Sequence, residues 1–174
     1  MPYRYHPLLV ALHWLIALFI LGLLAAGTFV LVPLPNSAPE KMISFRMHMA
    51  LGVTVLFLMV LRLAVRLTTR QPPPAETGHP LTKRLARATH WTLYALVIAM
   101  ASSGLALSVA SGLPDAVFGN GPMPADFSDY TARQVHGLIA RALMVLITLH
   151  VIAALWHQFI RDDGLFARIW FGQR

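Results

Sequence analysis

The histidines of this chain are its strongest candidates for chemistry, and two of them share a helical repeat. The 174 residues include eight histidines and no cysteine, so thiolate sites for zinc or iron–sulfur clusters are excluded. His136 and His150 are 14 residues apart, which is nearly four turns and about 21 Å of α-helix. Their imidazoles are therefore predicted to lie on one face of a helix, toward its opposite ends.

A second histidine matches His150 in depth. Basic residues at the ends of apolar stretches mark the membrane surface. His13 follows Arg4 by nine residues and His150 precedes Arg161 by 11, or roughly 13 and 16 Å of helix. The spacing therefore predicts that His13 and His150 face each other in the half of the membrane that holds both chain ends.

A similar match exists near the other membrane face. His48 follows Arg46 by two residues, and His136 follows Arg133 by three. Both histidines therefore lie just inside the surface that these arginines mark. This predicts a second pair, His48 with His136, at a different depth from the first.

Two facing imidazoles are what a six-coordinate haem needs, because one axial nitrogen must approach the iron from each side. Without cysteine there is no Cys-x-x-Cys-His attachment, so the haem would be of the non-covalent b type. The pairs predict two b haems, one held by His13 and His150 and the other by His48 and His136. A bare zinc or copper ion is the rival interpretation, although such ions usually recruit more ligands at one point.

Small residues accompany the candidate ligands and would let a flat porphyrin approach the helices. Gly137 directly follows His136, Gly52 lies four residues after His48, and a Ser-Ser-Gly group ends at Gly104. Glycine is equally common at plain contacts between membrane helices. Both explanations stay open.

Two further histidines lie near the cytoplasmic ends of their helices, and each has a tryptophan beside it. His90 directly precedes Trp91, and Trp156 directly precedes His157. An interfacial aromatic belt explains both pairs. The alternative is a quinone headgroup pocket in which His157 donates a hydrogen bond or relays a proton, since histidine titrates near neutral pH. Basic residues of the second loop would lie nearby: Lys83, Arg84 and Arg87.

The arginines near the outer pair have two explanations. Arg141 lies one and a half turns inside His136, and it either snorkels to the surface or pairs with a haem propionate. Arg46 and Arg133 could also contact propionates, or concentrate a small anion at the outer haem. The same outer loop carries opposing charges: Asp115, Asp126 and Asp129.

The elements that must position these side chains are membrane spans. Hydrophobic residues make up 57% of the chain and charged residues 12%, about half the charge of a soluble domain. A bilayer core needs roughly 20 apolar residues per helix, and four stretches qualify. The sequence therefore predicts an all-α fold, a single membrane domain over residues 1–174 with spans at about 7–32, 42–67, 89–111 and 135–160.

The distribution of lysine and arginine predicts the direction of these spans. The N-terminus, the second loop and the C-terminal tail hold nine of these residues, whereas the first and third loops with their margins hold three. Both chain ends are therefore expected in the cytoplasm. The net charge of +7 is then an orientation signal and an attraction to the lipid bilayer, and we expect no nucleic-acid partner.

In these residues the chain resembles the bacterial cytochrome b561 family over nearly its whole length. The resemblance rests on an ordered set of short motifs in the four spans: Ala11-Leu-His13-Trp14, Met47-His48 with Gly52, Leu61-Arg62 with Arg66, His90-Trp91 with Tyr94, Val135-His136-Gly137, Leu149-His150 and Trp156-His157. Within the family it is most similar to the stand-alone superoxide oxidase branch.

The resemblance implies a four-helix transmembrane bundle binding two b-type haems in the bacterial inner membrane. It implies a superoxide:quinone oxidoreductase that takes electrons from superoxide at the periplasmic face and reduces ubiquinone near the cytoplasmic face. His13 and His150 correspond to ligands of the cytoplasmic-side haem, His48 and His136 to those of the periplasmic-side haem, and His157 to a histidine of the quinone pocket. An electron-transfer subunit docked to a redox partner protein, such as a hydrogenase or dehydrogenase, is the alternative. A non-redox carrier of metal or protons is a third.

Overall fold

Four long helices dominate the computed structural model, which describes residues 4–73 and 80–171. They are α1 (Pro7–Ala26), α2 (Pro39–Thr68), α3 (Pro80–Ala110) and α5 (Thr131–Trp156). All four are long and apolar enough to cross a membrane. A π-helical turn extends α1 over Gly27–Leu31, and another extends α5 over His157–Arg161. Two short helices complete the fold: α4 (Leu113–Phe118) and α6 (Leu165–Arg168).

Three of the four long helices extend beyond the apolar segments that predict them: α2, α3, and α5 with its π-helical turn. Proline occupies the first turn of α1 and of α2, where its fixed φ suits a helix start and its missing N–H costs nothing. α3 begins at Pro80, nine residues before the predicted span, because its first turns are basic rather than apolar. Hydropathy marks the part of a helix that lies in hydrocarbon, and α3 continues beyond that part.

The bundle packs as a ring that is open on one side. α1 packs on α2, α2 on α3, and α3 on α5, whereas the described residues of α1 and α5 make no comparable contact. Large apolar side chains face outward on every long helix, as expected where lipid is the solvent. The core is a thin central column: Leu12, Ile16, Val55, Met59, Tyr94, Val97 and Leu143.

At the outer end, α4 fills a loop that would otherwise be irregular. Gly112 has φ 67° and starts the helix in the left-handed conformation that glycine tolerates. Val117 is fully buried, and its carbonyl accepts a hydrogen bond of 2.7 Å from Nε of Arg46 on α2. The Asn36 amide ties the first loop to the third through the carbonyls of Pro124 and Ala125.

At the end of the bundle where α1 begins and α5 ends, the C-terminal segment 162–171 turns back toward α1. Asp162 and Gly164 both have positive φ and make the reversal. The Trp14 indole N–H then donates to the Ile169 carbonyl at 2.9 Å, and Arg168 donates to the Pro73 carbonyl at 2.7 Å. The segment therefore lies across the end of the bundle.

Candidate functional site

The structure brings the predicted outer pair of histidines together. The ring centroids of His48 on α2 and His136 on α5 are 6.3 Å apart, with the rings inclined at 70°. Two imidazoles that share one metal ion hold their centroids roughly 6 Å apart, because metal–nitrogen bonds are about 2 Å long. The separation therefore suits a six-coordinate iron between the rings.

The surroundings of His136 fix its tautomer. Its Nδ1 lies 3.1 Å from the carbonyl oxygen of Met100 and 3.0 Å from the hydroxyl of Ser103, both on α3. A carbonyl only accepts hydrogen bonds, so Nδ1 carries the proton and Nε2 keeps a free lone pair. Metal-bound histidines usually have this arrangement.

Gly104 sets the position of the same ring. A Cβ atom at Gly104 would lie 3.0 Å from Cε1 of His136, closer than carbon atoms normally approach. The ring therefore packs directly on the α3 backbone. Of the small residues noted in the sequence, Gly104 is the one whose size the structure requires most clearly.

A mostly apolar cavity adjoins the outer pair. Its volume is about 60 Å³, and both imidazoles line it. Nδ1 of His48 is buried without a hydrogen-bond partner among the described residues. Gly52 also lines the cavity, and a Cβ there would meet nothing within 4 Å. An apolar lining that includes two imidazoles is the set of groups that a haem b would contact. The remaining lining residues are aliphatic or methionine: Ile20, Leu23, Leu24, Val55, Val97, Met100, Ala101 and Leu143.

The inner histidines form a group of three rather than a simple pair. The rings of His90 on α3 and His150 on α5 have centroids 5.4 Å apart, and Nδ1 of His90 donates to the Ala86 carbonyl at 2.7 Å. His13 on α1 interacts electrostatically with both. Its helix and that of His150 border the unpacked side of the bundle. The sequence assigned no role to His90.

The described residues contain no compact cluster of candidate metal ligands. Within the described ranges, no group of three or more histidine or acidic side chains converges closely enough to hold one. The chemistry of the donors therefore fits pairs of imidazoles at two levels better than a compact zinc or copper centre.

The arginines predicted near the outer pair occupy different positions. Arg46 is held by its bond to Val117 on α4. Arg141 is exposed, and its Nη1 lies 3.8 Å from where a Cβ of Gly137 would be, while Nη1 of Arg133 lies 3.1 Å from the same point. Two guanidinium groups therefore flank Gly137, directly beside His136.

His157 has a partner that the sequence analysis missed. Its Nδ1 lies 2.5 Å from Oδ2 of Asp163, after the chain reverses at Asp162. Partial burial of the Asp163 carboxyl opposes its ionisation, but the hydrogen bonds from His157 and the Leu165 amide outweigh it and hold the pKa of Asp163 below its usual range. The sequence did not predict this contact, because His157 and Asp163 are six residues apart and the helix ends between them. The predicted companions are exposed on the first turns of α3: Lys83, Arg84 and Arg87.

Comparison with known proteins agrees with the motifs. The family model for prokaryotic cytochrome b561 matches residues 4–172 of the sequence. The chain is 32% identical to cytochrome b561 homolog 2 of Escherichia coli (strain K12), over 97% of this chain and 92% of the relative. It is 28% identical to the probable superoxide oxidase CybB of Yersinia pestis, over 95% of both chains. With four helices able to span a membrane and facing imidazoles between them, this chain belongs to the prokaryotic cytochrome b561 family of membrane electron-transfer proteins.

Proposed function

We propose that this chain carries electrons across the membrane through two b haems. The family implies haem b. We assign His48 and His136 as axial ligands of the periplasmic-side haem, and His13 and His150 as those of the cytoplasmic-side haem. The observation that carries the proposal is the facing of His48 and His136, with Nε2 of His136 left free by the bond at Nδ1.

We propose superoxide as the electron donor at the periplasmic face. One relative is named a probable superoxide oxidase, and the guanidinium groups of Arg133 and Arg141 lie beside His136, where they would attract a small anion. Arg141, with Arg46, is also our candidate contact for the outer propionates. Two superoxide anions would each lose one electron and leave as O₂.

We propose ubiquinone as the acceptor near the cytoplasmic face. One quinone takes up both electrons with two protons, and His157 hydrogen-bonded to Asp163 can deliver protons there. A groove of about 300 Å³ opens beside this turn. Its lining includes Gln158 and aromatic residues of the C-terminal segment. Both chain ends would lie on this cytoplasmic side of the inner membrane.

The decisive experiment counts haems and then supplies superoxide. Purified protein should hold two low-spin b haems per chain, and a superoxide pulse should reduce them faster than a heat-denatured control. One haem or none would contradict the ligand assignment. Two haems that stay oxidised in superoxide, yet become reduced by a co-purifying dehydrogenase, would replace superoxide with a redox partner protein.

A further inference from the structure

Two arginines of α2 sit together inside the cytoplasmic half of the bundle. Arg62 donates from Nη1 to the carbonyl of Leu9 on α1, and its Cζ lies 5.8 Å from the centre of the Tyr94 ring. Cζ of Arg66 lies 5.7 Å from the same ring and 5.6 Å from that of Trp91. The two guanidinium groups, one helical turn apart, therefore share Tyr94.

No carboxylate of the described residues forms an ion pair with these two positive charges. Among the residues that the structure describes, neither Arg62 nor Arg66 forms an ion pair with a carboxylate, and the ion pair found there joins His157 to Asp163. The charges of Arg62 and Arg66 instead repel each other. Charged groups inside a membrane protein are costly unless an opposite charge accompanies them. The arrangement therefore fits an anion that binds from outside the polypeptide.

The pair of arginines also borders the inner histidines. Leu9 is one helical turn to the cytoplasmic side of His13, and Arg62 interacts electrostatically with His13. Both arginines interact in the same way with His90. An anion held by Arg62 and Arg66 would thus lie beside His13, on its cytoplasmic side.

We propose that Arg62 and Arg66 bind the two propionate groups of the inner haem. This inference rests on the proposed function, because it needs a haem held by His13 and His150. A haem b carries two carboxylates on one edge, and guanidinium groups bind carboxylates through charge-assisted hydrogen bonds. Anionic lipid headgroups offer similar chemistry, so the test must separate the two sources.

The test compares haem b with haem b dimethyl ester, whose carboxylates are blocked. Apo-protein is reconstituted with each, and the rate of haem loss to apomyoglobin is measured separately for the inner and outer sites by their spectra. In the wild type, the inner site should lose the ester at least about tenfold faster than natural haem, the value expected for one charge-assisted hydrogen bond. In Arg62→Gln and in Arg66→Gln this ratio should fall toward one.

Two controls keep the outcome interpretable. Arg141→Gln, on the outer side, should leave the inner-site ratio unchanged, and far-ultraviolet circular dichroism reports the folding of each variant. Arg62→Lys should keep part of the ratio because it keeps the charge. The wild-type comparison needs no substitution, so it stands even if Arg62→Gln fails to fold.

Three results would overturn the assignment. If haem b and its dimethyl ester leave the wild-type inner site at equal rates, a propionate contact there is excluded, while the proposed two-haem function is unaffected. A ratio unaffected by either substitution would place the contact on other residues. An inner-haem retention that depends on anionic lipid in nanodiscs, without preference between the haems, would assign the arginines to headgroups. A wild type without any inner haem would instead contradict the proposed function.

Discussion

At the scale of single residues, the His136 ring is held on two sides before any ligand binds. The Met100 carbonyl and the Ser103 hydroxyl meet its Nδ1, and the Gly104 backbone supports its Cε1 edge. Such preorganisation reduces the cost of ordering the imidazole when iron binds. The free Nε2 is therefore aimed by α3, although the ligand itself belongs to α5.

Substitution of Gly104 tests this support. Gly104→Ala puts a Cβ about 3.0 Å from the His136 ring, and overpacking of this kind costs about 1–3 kcal/mol, enough to weaken outer-haem binding about fivefold or more. Gly22→Ala is the matched control, because a Cβ at Gly22 meets nothing within 4 Å. Haem content per chain is the measurement. Equal, full occupancy in both variants would show that the ring has room to move.

Asp163 is expected to position His157 for proton delivery. Asp163→Asn removes the negative charge that orients the imidazole, so quinol formation should slow severalfold while reduction of the haems by an outer donor is unchanged. Arg161→Gln is a nearby control that leaves the 2.5 Å contact between His157 and Asp163. Stopped-flow spectroscopy separates the two steps. Slowing of both steps in the Asp163 variant would indicate a general structural defect instead.

The pH dependence of this contact has a defined sign. The pKa of Asp163 is below its ordinary value, so its contribution to stability is complete above the unfolded-state pKa of about 3.9 and is lost as the pH falls through the lowered value. A change in activity between pH 5 and 8 therefore cannot come from Asp163.

At the scale of elements, α4 is fixed by one cross-helix hydrogen bond. Arg46→Gln removes the bond from Nε to the Val117 carbonyl, and loss of a hydrogen bond from a charged donor costs about 2 kcal/mol. The midpoint of thermal unfolding of the haem-free protein should fall. Arg133→Gln, near the same membrane face, is the comparison, since its backbone rather than its side chain anchors the start of α5. An unchanged midpoint in Arg46→Gln would mean that α4 is held by its buried apolar residues alone.

The elements also show which features a sequence can predict. The four long helices could be predicted from the lengths of the apolar stretches. The 14-residue spacing of His136 and His150 predicted that one helix carries both, and α5 does. The pairing of His48 with His136 followed from charged markers of depth. The contact of His90 with His150 was not predicted, because it depends on which helices are neighbours in the bundle. α4 and the returning C-terminal segment were also missed, since left-handed turns at Gly112 and Gly164 redirect the chain without a hydropathy signal.

At the scale of the whole molecule, the two proposed haems divide the protein into an outer and an inner half. His136→Ala should abolish reduction by superoxide while dithionite still reduces the inner haem. His13→Ala should leave the outer haem reducible by superoxide but stop quinol formation. Redox difference spectra distinguish the two variants. The reverse pattern would invert the assignment of the pairs, and an equal loss of both haems in both variants would show that the sites fold as one unit.

The position of α5 has a consequence for biosynthesis. This helix supplies one histidine of each proposed pair, His136 and His150, and it is synthesised after α1, α2 and α3. α1 and α2 therefore wait in the membrane with His13 and His48 until α5 is made. Its seam with α1 is the side of the ring without close packing, which leaves a lateral path from the lipid for cofactor entry. Both proposed centres can then mature only after α5 has been inserted, and a chain that stops before α5 should bind no haem at either one.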